Sequence, residues 1–192
     1  MGNQFCTHKI ILASGSPRRQ QFLRDLQFDF EIRLKEVAEI YPDHLQGVEI
    51  TNYLAQLKAN AFEGSLKDQE VLLTSDTIVW FENKALGKPK DYDDAFAMLK
   101  SMSGKTHEVI TSVCFKTNRK SETVFEVTKV TFKNLSDEVI HHYLENYKPF
   151  DKAGAYGIQE WIGLIGIAKI EGSYTNVVGM PTDVVFEYLT NL

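Results

Sequence analysis

The stretch ASGSPRR lies between a short apolar run, KIIL, and a helical-looking segment, QQFLRDLQF. Gly15 permits a tight turn, Ser16 suits a helix N-cap, and the proline after it suits the first helical position. Free backbone N–H groups at such a helix start form an anion site. Arg18 and Arg19 oppose the helix dipole unless a bound anion compensates them. The stretch therefore predicts a phosphate site, with two solvated arginines on an ordinary capped helix as the alternative.

A single carboxylate interrupts the apolar, β-rich run VLLTSDTIVW. Strands disfavour aspartate, and an unpaired buried carboxylate is costly. Because valine, leucine, isoleucine and tryptophan surround Asp76, we expect it near the core, where an acid often serves as a metal ligand or general base. The alternative is an acid at a strand end that caps a turn. Thr77 beside it offers a hydroxyl group for a ligand.

Three other charged residues attract attention only in combination. Lys88 lies in KALGKPKD after the central strand, where a solvated turn is the simpler interpretation. Lys58 lies among the apolar residues of LAQLKANAF, where its aliphatic stem would cover the core. Glu39 lies in KEVAEIYPD and is by itself an ordinary loop acid.

The stretch YKPFDKAGAYGIQEW combines small residues with one aromatic residue and an amide. Glycines allow a backbone to approach a ligand closely. Tyr156 could stack on a base, and the donor and acceptor of the Gln159 amide can match N3–H and O4 of uracil or thymine. A flipped amide would match cytosine. A glycine-rich connector to the last strand is the alternative to a ligand site.

These residues need a framework of strands and helices. The pattern predicts strands in HKIILAS, FDFEIRL and VLLTSDTIVW, with helices in SPRRQQFLRDL and in TNYLAQLKANAF, the latter capped at Thr51. It then predicts a helix in DYDDAFAMLKSM, two long strands joined around 118–120, a helix capped at Ser136, a strand in GLIGIAKI and a closing helix in TDVVFEYLTNL. The alternation indicates a mixed α/β fold in a single domain, 1–192.

The bulk composition limits the partners. A net charge of -5 and a pI near 5.6 argue against a nucleic-acid-binding protein, although a few local cations can hold a small anion. Cys6 and Cys114 have no ligand-like spacing, which favours free thiols in a reducing compartment. MGNQFCTHK has no apolar stretch of signal-peptide length, and WIGLIGIA is too short to span a bilayer. We therefore expect a cytoplasmic protein without a membrane partner.

Several segments together resemble the Maf family of nucleoside triphosphate pyrophosphatases, in the family's order: ASGSPRR, LKA around Lys58, SDTIV, GKPKD, MLKSMSGKTHEV, DKAGAYGIQ and GSYTNVVGMP. The resemblance implies hydrolysis of the α–β phosphoanhydride of a nucleoside triphosphate with a divalent cation, Mg²⁺ or Mn²⁺. It implies a twisted central sheet flanked by helices, with two lobes around a deep cleft, as in the inosine triphosphate pyrophosphatases. Many members are dimers, so a homodimer is a further expectation.

The resemblance also implies roles for individual residues. Asp76 would accept the proton of the attacking water, with Lys58 and Lys88 as catalytic cations. Glu39 would hold the metal together with Asp76, although family members often have two adjacent acids where this chain has an alanine before Glu39. The residues expected to line the phosphate and metal region are Ser14, Gly15, Arg19, Glu39, Lys58 and Lys88.

Three positions bear on the substrate. Arg18, Thr77 and Gln159 match the branch of the family that acts on dTTP and UTP, whereas a sister branch acting on 7-methyl-GTP has Trp, Gln and Glu there. Two alternatives stay open at this point: a nucleotide-binding regulator of cell division without significant turnover, and a pyrophosphatase for 7-methyl-GTP or another modified nucleotide. Asp76 together with the full set of cations favours an enzyme, because a sensor needs no base.

Overall fold

A computed structural model describes residues 5–192; residues 1–4, which open MGNQFCTHK, lie outside the described part. The chain divides into two compact units. Unit 1 contains the described residues up to Asp76, together with Thr111–Glu126 and Gly179–Leu192. Unit 2 contains Thr77–Ile110 and Val127–Val178. The single domain and the cleft expected from the sequence stay predictions.

The described residues form seven strands and seven α-helices, which are mixed along the chain. The strands are β1 (Lys9–Leu12), β2 (Phe30–Ile32), β3 (Glu70–Phe81), β4 (Lys84–Leu86), β5 (Thr106–Lys116), β6 (Ser121–Phe132) and β7 (Ile167–Glu171). The helices are α1 (Pro17–Asp25), α2 (Val48–Asn60), α3 (Tyr92–Met102), α4 (Asp137–Tyr147), α5 (Trp161–Gly166), α6 (Tyr174–Val178) and α7 (Thr182–Thr190). A short 3₁₀ helix covers Ala153–Ala155.

The strands form one mixed sheet in the order β2-β1-β3-β5-β6-β7, and β4 pairs with β3. β1 pairs in parallel with β2 and β3, whereas the pairs β3–β4 and β6–β7 are antiparallel. The mixed α/β class predicted from the sequence is therefore confirmed. No helix of residues 5–192 is both long and apolar enough to cross a membrane.

The core of unit 1 covers both faces of β1, as is typical of a central parallel strand. Ile10 and Leu12 are buried in a cluster that includes Leu23 of α1 and Val185 of α7. Ile11, which points to the opposite face, is buried with residues of α2. The strand end that leads to ASGSPRR is thus fixed on both sides. This packing holds the start of α1 at the sheet.

The core of unit 2 is built around β3, β6 and the helices α3 and α4. Val79 and Val130 are buried with Leu99 and Tyr143 in one cluster. The Asp91 side chain caps α3 by accepting a hydrogen bond from the Asp94 amide. α4 begins in the same way, since the Ser136 side chain accepts from the Val139 amide, which confirms the predicted cap.

Two local predictions were wrong. Thr51 is not an N-cap: α2 begins at Val48, and the buried Thr51 hydroxyl donates to the Val48 carbonyl 3.1 Å away. GLIGIAKI is not a single strand, because its first half belongs to α5 and β7 begins at Ile167. A Cβ atom on Gly163 would lie 1.7 Å from the Ile158 carbonyl oxygen, so glycine permits this tight helical turn. A short apolar run does not distinguish a strand from a buried helix.

Candidate active site

The junction between β1 and α1 carries the first predicted site residues. The Ser14 hydroxyl, buried to 7% exposure, accepts a hydrogen bond from the Ser16 amide at 3.2 Å. Ser16 occupies the N-cap position of α1, but its side chain makes no capping bond. Gly15 is exposed, and a Cβ atom there would have its nearest neighbour, Leu34 Cδ1, 3.9 Å away. Glycine is therefore not required by the chain's own packing, and it leaves the backbone open to a ligand.

Arg19 connects the start of α1 to β3 and to the segment before α7. Its Nε donates to the Gly179 carbonyl, and its Nη1 donates to the Ser75 carbonyl, both at 2.9 Å. Burial lowers the pKa of the Arg19 guanidinium, and the Asp76 carboxylate opposes this effect. The alternative of a simply solvated side chain is therefore excluded for Arg19. Arg18, its half-buried neighbour, adds a second positive charge at the same helix start.

Asp76 lies inside β3, not at its end, and is 6% exposed. Its Oδ1 accepts a hydrogen bond from Lys58 Nζ at 2.7 Å. The same ammonium group lies 2.9 Å from Oε1 of Glu39. Burial raises the pKa of the Asp76 carboxyl, Lys58 and Arg19 oppose that rise, and Glu39 adds to it. A desolvated carboxylate with a raised pKa is a stronger base than an exposed one.

The approach of Lys58 to Asp76 is fixed by a contact that the sequence did not suggest. The buried Thr74 hydroxyl donates to the Ala55 carbonyl of α2 at 2.6 Å. Side chains two apart on a strand share a face, so Thr74 and Asp76 both point toward α2. Residues three apart on a helix are also neighbours, which brings Lys58 next to the helical residue that Thr74 holds. The sequence signal for this contact is the hydroxyl side chain of Thr74, two residues before Asp76 on an apolar strand.

The carboxylates of this site fit a metal only in part. Among residues 5–192, no group of three or more His, Cys, Asp or Glu side chains is arranged to hold a metal ion. Mg²⁺ needs only one or two carboxylates when water and phosphate oxygens complete its shell. Glu39, half exposed, and Asp76 meet that requirement, but Lys58 is already bound to both. The donor set therefore suits a cation that arrives together with phosphate.

The predicted residues are divided between the two units. Unit 1 brings Arg19, Lys58 and Asp76 together with Glu39 through the contacts given above. Ser14 joins them because its Oγ accepts a hydrogen bond from Arg19 Nη1 at 3.5 Å. The predicted residues that belong to unit 2 are Thr77, Lys88, Tyr156 and Gln159.

Within unit 2, a backbone hydrogen bond joins the loop that contains Lys88 to the segment that leads to Gln159. The Gly154 amide donates to the Gly87 carbonyl at 3.0 Å. Gly154 has a φ of +67°, and a Cβ atom there would lie 2.8 Å from Val79 Cγ2, so this position requires glycine. Lys88 and Gln159 are both exposed.

The prediction that Tyr156 stacks on a base is corrected by its position. The side chain is 6% exposed and packs edge-on against the rings of His107 and Phe132. Its hydroxyl is hydrogen-bonded to His107 Nε2 at 2.7 Å. A ring buried in this way offers almost no surface to a ligand. Tyr156 therefore belongs to the core of unit 2, and the sequence could not distinguish this from a stacking role.

Comparison with known proteins gives consistent matches. The family model described as Maf-like protein matches residues 9–192. A Flavobacterium johnsoniae protein named dTTP/UTP pyrophosphatase is 71% identical over 185 residues, covering 96% of this chain and 95% of the relative. A Flavobacterium psychrophilum protein of the same name is 67% identical over 188 residues, covering 98% of this chain and 96% of the relative.

Similarity of fold extends further than similarity of sequence. The solved structure of the Staphylococcus aureus Ham1 protein aligns with a TM-score of 0.52 at 13% identity, covering 95% of this chain and 98% of that chain. At that identity the likeness concerns the fold alone. The family match, by contrast, spans almost the whole sequence and includes every candidate residue described above. The chain therefore belongs to the Maf family.

Proposed function

We propose that this chain is a nucleoside triphosphate pyrophosphatase that hydrolyses the α–β phosphoanhydride of dTTP and UTP to the monophosphate and pyrophosphate. The observation that carries the proposal is the buried Asp76 carboxylate, with its raised pKa, beside Lys58 and Arg19. The relatives that are 71% and 67% identical bear the name dTTP/UTP pyrophosphatase, which gives the substrates.

The cations of unit 1 reduce the electrostatic repulsion that slows this reaction. A triphosphate repels incoming nucleophiles because it carries several negative charges, and fixed cations reduce that repulsion. Arg18 and Arg19 stand at the start of α1, where free backbone N–H groups also favour anions. Lys58 completes the set once it moves from the carboxylates to a phosphate oxygen. A role for Lys88 of unit 2 on the phosphates stays a prediction.

Asp76 supplies the base. As water attacks one phosphorus atom of the anhydride, a new bond forms between that phosphorus and the water oxygen. The bridging P–O bond breaks and its electron pair stays on the departing phosphate oxygen. The monophosphate and pyrophosphate separate, and the proton of the water passes to an Asp76 oxygen. Because burial raises the pKa of Asp76, its carboxylate accepts a proton more readily than an exposed one. Release of Lys58 from Oδ1 increases this tendency further.

We also propose a divalent cation, Mg²⁺ or Mn²⁺, with Glu39 and Asp76 as its protein ligands. When bound, such a cation neutralises phosphate oxygens and polarises the anhydride. The chain's own contribution is to present two carboxylates within reach of one ammonium group.

Base selection is proposed for Arg18, Thr77 and Gln159, the positions that match the dTTP and UTP branch. Gln159 is exposed, as a residue that reads a base must be. A cytoplasmic location is supported by Cys6 and Cys114, which are both free thiols. The homodimer remains a prediction.

The deciding experiment measures pyrophosphate release, with Mg²⁺ or Mn²⁺, from dTTP, UTP, CTP, dATP, GTP and 7-methyl-GTP. Fast release from dTTP and UTP alone is expected. Fast release from another base would retain the phosphate chemistry and overturn the base assignment. A folded protein that binds UTP and hydrolyses none of these nucleotides would be a regulator and not an enzyme.

A further inference from the structure

Gln159 lies in a tight turn formed by residues 157–160 of unit 2. The Glu160 amide donates to the Gly157 carbonyl at 3.0 Å and closes the turn. The Gln159 side chain folds back over Gly157, because a Cβ atom on Gly157 would lie 2.9 Å from Gln159 Nε2. The position of the amide therefore depends on the geometry of this one turn.

A buried tyrosine of α4 holds the turn from the inside. The Tyr143 hydroxyl donates a hydrogen bond to Oε2 of Glu160, and it accepts one from the Gly157 amide at 3.0 Å. One oxygen atom thus connects both ends of the turn that carries Gln159. The Tyr143 side chain is fully buried. Burial and the Glu160 carboxylate raise the pKa of Tyr143, so the phenol keeps the proton that it donates.

The other carboxylate oxygen of Glu160 is held as well. Lys152 Nζ lies 3.1 Å from Oε1 of Glu160 and 2.7 Å from Oδ1 of Asp151. The Lys152 side chain is only 11% exposed, so this ammonium group is not a mobile surface charge. Partly buried, paired charges hold their partners more firmly than exposed ones do. Both oxygens of the Glu160 carboxylate are therefore fixed in place.

We propose that Tyr143, with Glu160 and Lys152, positions the Gln159 amide and so determines how strictly the protein selects its base. The proposal rests on the proposed function, since it deepens the base-reading role of Gln159. Tyr143 is a positioning residue and not a catalytic one, because its hydroxyl is hydrogen-bonded to the turn. Without that hydroxyl, a buried N–H and a carboxylate oxygen lose a partner and the turn loosens. A loosened amide discriminates less between uracil and cytosine.

Tyr143→Phe tests the proposal because it removes a single oxygen atom. We expect the ratio of kcat/KM for UTP to that for CTP to fall about tenfold. The rate with inorganic tripolyphosphate, which has no base, should stay within about twofold of the unchanged protein. The ratio of Kd values for non-hydrolysable UTP and CTP analogues, measured by calorimetry, should change by the same factor as the kinetic ratio.

Tyr92→Phe is the matched control in the same unit. It removes a hydroxyl bonded to His141 Nδ1 at 2.7 Å, far from the turn in sequence, and should leave the UTP/CTP ratio unchanged. In a Gln159→Ala background, Tyr143→Phe should have no further effect on the ratio, since coupled residues are not additive. A purely structural role would lower the melting temperature without this coupling.

The outcomes separate this proposal from the proposed function. Absence of pyrophosphate release in the unchanged protein would overturn the pyrophosphatase assignment, and the Kd ratio would still test the role of Tyr143. A UTP/CTP ratio that Tyr143→Phe leaves unchanged, in either measurement, would overturn the positioning role. Glu160→Gln preserves the shape of the side chain. If it also lowers the UTP/CTP ratio, the Glu160 carboxylate takes part in positioning the Gln159 amide.

Discussion

Lys58 Nζ lies 2.7 Å from Oδ1 of Asp76, inside a site that also contains Glu39 and the two arginines at the start of α1. One ammonium group therefore holds both carboxylates that are expected to bind metal. The three positive charges of Arg18, Arg19 and Lys58 exceed the two negative charges of Glu39 and Asp76, so the site has no excess negative charge for a dication. A triphosphate reverses this balance. We therefore expect the divalent cation to enter with the nucleotide.

Lys58→Met should strengthen the binding of free Mn²⁺ in the absence of nucleotide. Removal of the ammonium group exposes two carboxylates, and we expect affinity to rise about tenfold, which corresponds to about 1.4 kcal/mol. Mn²⁺ titrations followed by electron paramagnetic resonance measure this directly. Lys116→Met is the control, because Lys116 is similarly buried in unit 1 but pairs with Glu63. Equal affinity in Lys58→Met and the unchanged protein would show that Lys58 does not compete with the metal.

Asp76→Asn should retain the fold and lose most turnover. The amide keeps an oxygen for Lys58 but cannot accept the proton of water, so the rate of pyrophosphate release should fall by ~10²-fold or more. Thermal unfolding should be little changed, since a neutral group replaces a desolvated charge. Asp137→Asn, which alters an exposed acid paired with Lys100, should leave turnover intact. Near-normal turnover in Asp76→Asn would remove this carboxylate from the mechanism.

The sequence predicted the burial of Asp76 because the information is local. An acid within a run of apolar, β-rich residues is carried into the core by its buried neighbours. The pairing of Asp76 with Lys58 was not predictable in the same way, because it joins β3 to α2 across 18 positions. Glu39 reaches the same amine from an irregular segment, for which periodicity offers no guide.

Tyr156 and Gly163 illustrate why two of the local predictions failed. An aromatic residue among glycines looks alike whether it stacks on a ligand or fills a core, and only tertiary packing against His107 decided the matter. Gly163 interrupts an apolar run without revealing that the Ile158 carbonyl lies close by. The same limit applies to Tyr143, whose hydroxyl acts on a turn 14 residues away. Local patterns identify candidate residues, but long-range contacts assign their roles.

Gln159→Glu should weaken the preference for UTP. The change replaces the amide donor by a second carboxylate oxygen, so N3–H of uracil keeps an acceptor but O4 of uracil loses its donor. We expect kcat/KM for UTP relative to CTP and GTP to fall about tenfold or more, since an unpaired polar edge costs at least that much. Competition assays with the three nucleotides measure the ratio. If the preference is unchanged, Gln159 does not read the base.

His107 should make the protein sensitive to acid. The ring is 2% exposed, and burial lowers its pKa to about 4, whereas an unfolded histidine titrates near 6.5. Between these values only the unfolded chain binds the proton, so stability is lost as pH falls, by about 2 kcal/mol between pH 7 and pH 5. Urea unfolding at both values should show a smaller loss for His107→Gln than for the unchanged protein, and exposed His44→Gln should show the full loss. An equal loss in all three proteins would mean that His107 is not the group that resists protonation in the fold.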